Sequence, residues 1–488
     1  MKQYSLSICL PMDMRYEHPP IWLSLGTAVL LIVTLVASAK EVKSQNNSAP
    51  NIIVIMTDQQ SSTMMSCTGN KWVKTPSLDA LAAGGMRFER AYVANPVCVP
   101  ARFSIQTGYM PSAIGMRGNK EAKTAVVQPY MIEKSLGNLF KEAGYETVFG
   151  GKEHFPHGLG NSVNIGYQRL TTDRREELTQ KSVTFIKQKH EKPFLLFASF
   201  INPHDICYMA INSYNRSIGK ENTPNEASRI CERILDPARN SGDLEKFVEM
   251  HCPPLPENFN YPELGASCLD LSEAEIVHFY HHTQQEWTEI DWRLHRWAYC
   301  RLTEMVDEKI GRIIAAVKEA GLEENTLIVF TSDHGDMDAS HKREHKGVMY
   351  EESVRVPFIM SYKNVIPAGV VNDQHFVNNG IDLLPTLCDF AGIEIPKGLA
   401  GGSIRAIAEK RSGAEWRDDI YVEGEMGFMV QDLKYKYTVY DTGKNQEQLV
   451  DLNKDPGEMN NLVYKAEDEI VDFYRAKLDR WKKKAALK

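Results

Sequence analysis

The sequence lacks closely spaced cysteine pairs, internal repeats, low-complexity tracts and any excess of basic residues. Without a C-x-x-C pair, a zinc finger or zinc ribbon is not expected. The chain has 56 Lys+Arg against 64 Asp+Glu and a net charge of −8. Dedicated nucleic-acid binding needs a basic surface, so we expect no nucleic-acid partner. With 43% hydrophobic and 25% charged residues over 488 positions, the composition is that of a globular protein rather than a disordered or polytopic membrane chain.

The sequence contains a single long apolar run, Ile21–Ala39. It ends in Ala37-Ser38-Ala39, small residues at the spacing that signal peptidase accepts. We therefore predict a signal peptide within residues 1–39 and an exported protein, periplasmic or extracellular, with no stable membrane association after cleavage. The alternative is a retained membrane anchor, because about 19 apolar residues can just span a bilayer.

Eight cysteines follow the apolar run, and five of them fall between residues 207 and 300. They are Cys67, Cys98, Cys207, Cys231, Cys252, Cys268, Cys300 and Cys388. In an oxidising compartment such a cluster could carry one or two disulfides, whose pairing the sequence does not give. Buried free thiols are an equally good interpretation.

Short apolar runs that end in polar residues predict the strands of a parallel sheet. These runs are Asn51–Met56, Phe194–Phe200 and Thr326–Phe330. Helical patterns alternate with them over residues 76–84, 135–144 and 302–320. This alternation predicts an α/β fold with a mostly parallel sheet flanked by helices, and ligands bind where such strands end.

Two further parts of the chain differ from this pattern. Residues 205–275 are rich in Pro, Asn and Cys with weak periodicity, and we interpret them as an insertion over the sheet edge or the site mouth. After an expected linker at 396–402, short alternating runs over 420–422, 427–430, 435–440 and 448–452 predict a small antiparallel sheet. A terminal helix is expected over 467–484. We thus predict a catalytic α/β domain over 50–400 and a C-terminal α+β subdomain over 403–488.

Cys98 stands in the segment Cys98-Val-Pro-Ala-Arg102, in a loop that leads into a predicted helix. A helix N-terminus and a nearby cation both lower the pKa of a thiol, so Cys98 is a candidate nucleophile. No histidine lies beside it in sequence. A purely structural cysteine is the alternative.

Asp58 and Asp333 both follow predicted strands, with Gln59 and His334 beside them. Oxygen ligands gathered at the carboxyl edge of one sheet favour Ca²⁺ or Mg²⁺ over zinc. A lone Asp after a strand could also be a helix cap, which is the alternative for each position.

A third set of candidates is basic. Lys152 and His154 lie in a Gly-Gly-Lys-Glu-His segment, His204 follows Asn-Pro, and His341 and Lys346 lie downstream of the second aspartate. Lysine can bind an oxyanion, and histidine can transfer protons at neutral pH. Taken singly, each could be a surface charge or a buried histidine. Together they suit a site for a tetrahedral oxyanion ester.

The segment from Cys98 to Arg102, followed by Thr107-Gly108, resembles the C-x-P-x-R signature of the type I, formylglycine-dependent sulfatases of the alkaline phosphatase superfamily. Further motifs of this family occur in the same order: Thr57-Asp58-Gln59, Gly151-Lys152-Glu153-His154, Asn202-Pro203-His204, Thr331-Ser332-Asp333-His334-Gly335, Val356-Pro357 and Asp455-Pro456-Gly457-Glu458. The resemblance covers about residues 50 to 465. It implies an alkaline-phosphatase-like fold with a large mixed central sheet.

The resemblance also implies the chemistry of residue 98. A formylglycine-generating maturation enzyme would oxidise Cys98 to formylglycine, whose aldehyde is hydrated in the resting site. One hydroxyl of the hydrate would attack sulfur and displace the substrate oxygen. The other would then lose its proton, which expels sulfate and restores the aldehyde. Arg102 would hold the hydrate.

In this family pattern the calcium ligands would be Asp58, Gln59, Asp333, His334 and the modified residue made from Cys98. Lys152 and Lys346 would hold the sulfate oxygens, His154 would contact the hydroxyl of residue 98, and His204 would protonate the leaving alcohol. Many family members have Asp in place of Gln59 and Asn in place of His334. One fewer negative ligand should weaken cation binding here.

An exported sulfatase with a loop insertion resembles the bacterial enzymes that remove sulfate from glycosaminoglycan or algal sugars. A sulfated saccharide is therefore the expected substrate, with His341 and Arg301 as candidate substrate-binding residues. Trp287, Trp292, Trp297 and Tyr299, beside His295, could form a sugar-stacking wall. The alternative is a buried helix face, because positions 287, 290/291, 294, 297/298 and 301 follow helical spacing.

Two other functions remain open from the sequence. The same scaffold can serve a phosphate-ester or phosphonate hydrolase, although the sequence offers ligands for one metal ion only. A protein that binds sulfated glycans without turnover, with Cys98 left as a thiol, is the second alternative.

Overall fold

A computed structural model describes residues 49–269, 278–465 and 468–485. The predicted signal peptide lies outside these residues. The strands are β1 Asn51–Asp58, β2 Met86–Phe88, β3 Ala91–Tyr92, β4 Glu146–Gly151, β5 Gln168–Thr171, β6 Phe194–Pro203, β7 Thr326–Ser332, β8 Phe358–Ser361, β9 Val370–Asn372, β10 Val377–Asn378, β11 Ile420–Gly424, β12 Gly427–Gln431, β13 Tyr435–Tyr440 and β14 Glu447–Asp451.

Fifteen α-helices lie within the described residues, six of them between β6 and β7. They are α1 Pro76–Ala83, α2 Cys98–Thr107, α3 Pro129–Glu133, α4 Leu136–Glu142, α5 Glu176–Lys187, α6 Cys207–Ser217, α7 Glu226–Ile234, α8 Asp236–Arg239, α9 Leu244–His251, α10 His278–Glu286, α11 Glu289–Glu319, α12 Glu351–Val354, α13 Asn379–Ala391, α14 Arg405–Ala408 and α15 Asp468–Lys484. Within the described residues, no helix combines the length and the apolar character needed to cross a membrane.

Eight strands form the central sheet in the order β5-β4-β6-β1-β7-β8-β2-β9. The five strands from β5 to β7 are parallel, and β8 runs antiparallel to β7 and to β2. All eight residues of β1 are buried, as expected for a parallel strand covered on both faces. The predicted α/β fold, with a large mixed and mostly parallel sheet, is confirmed.

Alternate residues of β1 serve two separate hydrophobic cores, because successive side chains of a strand point to opposite faces. Ile52 and Val54 pack with residues of α2, α4 and α13. Ile53 and Ile55 pack with residues of α1, α5 and α11 on the other face. The sheet is thus held between two helical layers, and its carboxyl edge is left for polar residues.

The segment predicted as an insertion folds into helices α6 to α9, which pack against α11 in a third hydrophobic cluster. Helix α11 begins thirteen residues before the predicted start, where Thr288 and Asp291 form a capping box. Trp287, Trp292 and Trp297 are buried in this cluster.

The prediction of a sugar-stacking wall is therefore wrong, because the helices of the insertion cover these rings. Tyr299 is buried too, and its hydroxyl donates to the backbone oxygen of Gln59 at 2.6 Å. The alternative interpretation, a buried helix face, is confirmed.

Strands β11 to β14 form the predicted antiparallel sheet, in sequence order. Phe428 and Tyr437 from the sheet pack against Val471 and Leu478 of α15. The domain boundary near residue 400 stays a prediction. All eight cysteines in the described residues are free thiols, so the structure matches the free-thiol interpretation rather than the disulfides.

Candidate active site

Four adjacent parallel strands bring the predicted chemical groups to one edge of the sheet. Lys152 follows β4, His204 follows β6, Asp58 ends β1 and Asp333 follows β7. These strands are neighbours in the order β4-β6-β1-β7. Since the carboxyl ends of parallel strands meet at the same edge, residues far apart in sequence become neighbours in space.

Two glycines allow the loops at this edge to approach their neighbours. Gly151 has a φ of +96°, and a Cβ there would lie 2.0 Å from the backbone oxygen of Ser199. A Cβ at Gly335 would lie 1.9 Å from the backbone oxygen of Glu352. Any side chain at either position would displace the loop that carries Lys152 or Asp333.

Cys98 is buried at the first turn of α2. Its Sγ lies 3.1 Å from Nε2 of His334, 3.3 Å from Nζ of Lys346 and 3.8 Å from Nζ of Lys152. Burial acts to raise the pKa of the thiol, but the positive charges of Lys152, Lys346 and His334 hold it well below its usual range. Residue 98 is thus surrounded by groups that stabilise negative charge.

Arg102 lies one turn further along α2 and is fully buried. Its guanidinium donates to Oδ2 of Asp58 at 2.7 Å and to Oδ2 of Asp333 at 2.8 Å. It also donates to the backbone oxygen of Lys152 at 2.6 Å and to Oγ of Ser199 at 2.8 Å. Arg102 therefore fixes one oxygen of each carboxylate, and a contact with a hydrate on residue 98 stays a prediction.

The remaining carboxylate oxygens fit a bound cation. Oδ1 of Asp58 is buried and has no hydrogen-bond partner, and leaving such an atom without a donor or cation is costly. Ligand atoms of four residues lie within 4.8 Å of one another: Asp58, Cys98, Asp333 and His334. Carboxylate oxygens are the donors that hard divalent cations prefer. A metal ion at this point would satisfy the orphaned oxygen.

Positive charges also control the ionisation of Asp58. Burial and the neighbouring Cys98 act to raise its pKa, but Lys152, His204 and Arg102 hold it well below the usual range. Asp58 is consequently a carboxylate at neutral pH, which is the form that a metal ligand requires.

Gln59 lies at the same edge but makes a different set of contacts. Its Oε1 accepts from Nζ of Lys346 at 2.7 Å and from Sγ of Cys207 at 3.3 Å, while its Nε2 donates to Asp336 at 2.6 Å. Its role as a metal ligand stays a prediction. Asp336 and Cys207 were missed by the sequence analysis. The position of Asp336, three residues after Asp333 on the same loop, is a signal that could have indicated it.

Two histidines lie on the open side of the site. The side chain of His204 is 24% exposed, with Nε2 3.9 Å from Oδ1 of Asp58. Burial and the charges of Lys346 and Lys152 lower the pKa of His204 to about 4. His154 is exposed and within hydrogen-bond reach of Cys98. Solvent and a substrate can therefore approach residue 98 from this side.

The two other predicted substrate-binding residues make their contacts elsewhere. His341 is buried, and its ring stacks on Tyr350 with the centroids 3.7 Å apart. Arg301 donates to the backbone oxygen of Trp72 and to Glu304. None of these contacts involves the groups around Cys98, and a role in substrate binding stays a prediction for both.

Comparisons with known proteins find relatives along most of the chain. The Sulfatase family model matches residues 50–393, and the model of the C-terminal region of N-sulphoglucosamine sulphohydrolase matches residues 340–484. A Delta 4,5-hexuronate-2-O-sulfatase from Bacteroides thetaiotaomicron is 30% identical, over 89% of this chain and 89% of its own.

Solved structures similar to this chain also include a sulfatase. A 2-O GAG (glycosaminoglycan) sulfatase has a TM-score of 0.72 at 26% identity, with 90% of this chain and 93% of that chain covered. A phosphonate monoester hydrolase of Agrobacterium radiobacter has a TM-score of 0.68 at 20% identity, with 89% and 96% covered. The second likeness shows that the fold is shared, and nothing more.

Proposed function

The chain belongs to the sulfatase family and is a sulfuric ester hydrolase, and from that premise we propose that it removes sulfate from the sugars of a sulfated polysaccharide, specifically a glycosaminoglycan. The observation that carries the proposal is the convergence of Lys152, Lys346 and His334 on the side chain of residue 98. A sulfate ester brings negative charge to such a centre, and fixed cations stabilise the charge that develops as the ester bond breaks.

The choice of sugar follows from the relatives. One relative is a hexuronate 2-O-sulfatase and a structural neighbour is a 2-O GAG sulfatase. Both have sequences that align along most of this chain, so the same substrate class is the best supported one here. We include export to the periplasm or the cell exterior in the proposal, because of the apolar run with its Ala-Ser-Ala ending.

We further propose that a formylglycine-generating enzyme converts Cys98 to formylglycine before the first turnover. Once formed and hydrated, that side chain supplies the hydroxyl that attacks sulfur. Ca²⁺ held by Asp58, Asp333, His334 and Gln59, together with residue 98, would add positive charge beside the reacting group. The orphaned Oδ1 of Asp58 and its clustering with Cys98, Asp333 and His334 support a metal ion at this point.

The remaining roles belong to groups around residue 98. Lys152 and Lys346 bind the sulfate oxygens as point charges. His204 donates a proton to the ester oxygen, so that the sugar leaves as an alcohol when the S–O bond breaks. The negative charge of a bound sulfate would oppose the two lysines that lower the pKa of His204, and so raise it towards the range of a general acid. His154 accepts a proton from the hydroxyl of residue 98.

The test is an assay of sulfate release by protein coexpressed with a maturation enzyme and supplied with excess Ca²⁺. The substrates are an unsaturated disaccharide with 2-O-sulfated hexuronate, the matching disaccharide sulfated only on glucosamine, and nitrophenyl phosphate. We expect release from the sulfated saccharides, with the 2-O-sulfated hexuronate preferred. Dominant turnover of the phosphate ester would contradict the proposal and favour the phosphohydrolase alternative.

A further inference from the structure

His204 reaches the site from a short turn that follows β6. The turn His204–Ile206 leads directly into α6, and Nε2 of His204 lies 3.9 Å from Oδ1 of Asp58. The ring is partly exposed, so solvent rather than protein covers one side of it. The position of the imidazole therefore depends on how firmly the turn itself is held.

The next residue of this turn carries an ion pair. Asp205 is buried, and both of its oxygens accept from the guanidinium group of the half-buried Arg175. Nη2 of Arg175 lies 2.8 Å from Oδ1 and 2.7 Å from Oδ2, and Nε lies 3.3 Å from Oδ2. A planar guanidinium that contacts both oxygens of a carboxylate fixes the direction of the contact as well as its distance.

The backbone of the arginine is held in turn. Arg175 directly precedes α5, and its backbone N–H donates to Oδ1 of Asp173 at 2.9 Å. The backbone oxygen of the preceding residue, Arg174, accepts from the backbone N–H of Ile201 in β6 at 3.2 Å. The arginine is thus anchored both at the start of its own helix and on the strand that leads to His204.

A second contact holds the same turn from another side. Sγ of Cys231 in α7 donates to the backbone oxygen of Asp205 at 2.8 Å. The turn that carries His204 is therefore attached to the start of α5 through Arg175 and to α7 through Cys231. The ion pair is the stronger attachment, because hydrogen bonds between charged groups are stronger than those of a thiol donor.

We propose that Arg175 and Asp205 are positioning residues for His204: their ion pair fixes the turn after β6 so that the imidazole can protonate the ester oxygen. The inference rests on the proposed function, in which His204 is the general acid. Without the guanidinium group, the carboxylate of Asp205 would be buried without a cation, which is costly, so it would turn towards water. His204 would move with its chain neighbour and lose the hydrogen-bond distance that proton transfer requires.

The first test is a double-mutant cycle between Arg175 and His204, measured as kcat/KM for the disaccharide with 2-O-sulfated hexuronate. Arg175→Gln should lower kcat/KM about tenfold or more in the enzyme that has His204. In the His204→Ala background the same change should cost less than about twofold, because no acid is left to position. A purely structural role of Arg175 predicts the same loss in both backgrounds.

The second test varies the leaving group. A sugar alcohol leaves slowly unless its oxygen is protonated, whereas nitrophenolate is a stable anion that needs little help from an acid. Arg175→Gln should therefore lower kcat/KM for the disaccharide by a factor at least about fivefold larger than for nitrophenyl sulfate. A displacement of the sulfate-binding lysines or of residue 98 would harm both substrates alike.

The matched control is Glu226→Gln. It removes the other partner of Arg175, an exposed carboxylate at the start of α7, and leaves the pair with Asp205 intact. For this control we expect kcat/KM within about twofold of the wild type. Arg175→Lys keeps the positive charge but lacks the planar fork, so it should show the same pattern with a smaller loss. If Arg175→Gln fails to fold, Arg175→Lys decides.

The outcomes separate the two proposals. Matured wild-type protein without sulfatase activity, or full activity of His204→Ala, would contradict the proposed function. An active wild type in which Arg175→Gln costs nothing, or costs as much with alanine at position 204 as with histidine, would overturn the positioning role alone.

Discussion

Two groups of buried charges in this protein differ in how completely they are paired. In the group around Cys98, which we propose to be catalytic and call the catalytic cluster, Oδ1 of Asp58 is buried without a hydrogen-bond partner. In the anchor cluster, formed by Lys436, Glu351 and Glu458, Nζ of Lys436 lies 2.8 Å from Glu458 and 3.3 Å from Glu351. The other oxygen of Glu351 accepts from the hydroxyl of Tyr92, and the other oxygen of Glu458 accepts from the backbone N–H of Glu351.

This difference in pairing distinguishes a candidate ligand site from a purely structural contact. Every carboxylate oxygen of the anchor cluster has a donor, and Lys436 itself is buried, so this cluster holds β13 against α12 and has nothing left for a ligand. The catalytic cluster keeps an unused acceptor and opens to solvent at His154 and His204. Buried charge thus indicates function here only where the pairing is incomplete.

The largest expected effect is on turnover, from Cys98→Ala in the catalytic cluster. Removal of the side chain that we propose as the source of the nucleophile should lower kcat at least about ten-thousandfold, while the melting temperature stays close to that of the wild type. Mass spectrometry of the peptide that contains residue 98 gives the modification state of the parent enzyme. Substantial remaining activity in the variant would refute the assigned nucleophile.

Lys436→Met should produce the largest loss of stability. It leaves Glu458 buried without its cation and Glu351 with Arg355 alone, 3.5 Å away, and breaking such a buried pair typically costs about 3–5 kcal/mol. Urea unfolding followed by circular dichroism measures the loss, and Lys434→Met, an exposed lysine two residues earlier, is the control. Because the anchor cluster is fully paired and lies apart from the catalytic cluster, we expect Lys436→Met to leave kcat per folded molecule unchanged. A loss of kcat without a loss of stability would show that the anchor cluster also serves catalysis.

Removal of Ca²⁺ should destabilise the catalytic cluster. An ion that binds only the folded state stabilises it by about 2.7 kcal/mol at a hundredfold excess over Kd, so chelation should lower the melting temperature and added Ca²⁺ should restore it. Asp58→Asn should abolish the change of melting temperature with Ca²⁺, because it removes the negative charge of the Asp58 carboxylate. If neither the chelator nor added Ca²⁺ changes the melting temperature of the wild type, the cluster binds no such ion.

A smaller, pH-dependent effect is expected at Glu423 of β11. Its carboxylate is buried and accepts from the backbone N–H of Ser112 at 2.9 Å, and burial raises its pKa to about 7. Because the folded pKa exceeds the unfolded value, the folded protein binds this proton more tightly. The tighter binding of this proton contributes fully to the free energy of unfolding below about pH 4. The contribution is lost as the pH rises through 7.

Glu423→Gln should remove this part of the pH dependence. Relative to the wild type, the variant should gain about 2 kcal/mol between pH 5 and pH 8, measured by urea unfolding at both values. If the variant and the wild type differ in free energy of unfolding by the same amount at both pH values, Glu423 is already ionised in the folded protein at pH 5.

The catalytic cluster was largely predictable from the sequence, and the anchor cluster was not. Asp58, His204 and Asp333 were found because each follows an apolar run, and the ends of parallel strands converge. Lys152 was found from its Gly-Gly-Lys-Glu-His segment, although β4 was not among the predicted strands. No comparable rule connects Lys436 with Glu351 and Glu458, since these residues meet only after β13 has packed against α12. Asp336 was missed for the same reason, because its contact with Gln59 forms only in the tertiary structure.

The tryptophans of α11 show where sequence periodicity stops being informative. The helical spacing runs through positions 287, 290/291, 294, 297/298 and 301, and a sugar-binding face and a buried face have the same spacing. Packing of α6 to α9 decides between them, since those helices cover the rings.

By itself, the sequence determined the α/β alternation, the positions of the polar groups after the strands and the order of the sulfatase motifs, because strand periodicity and motif spacing are local properties. The tertiary structure decided which oxygens are paired, which aromatic rings are covered and which carboxylate accepts from Gln59. Those features depend on side chains from distant segments meeting at one place, and the hydrogen bonds of one buried atom are fixed only when all its neighbours are in position.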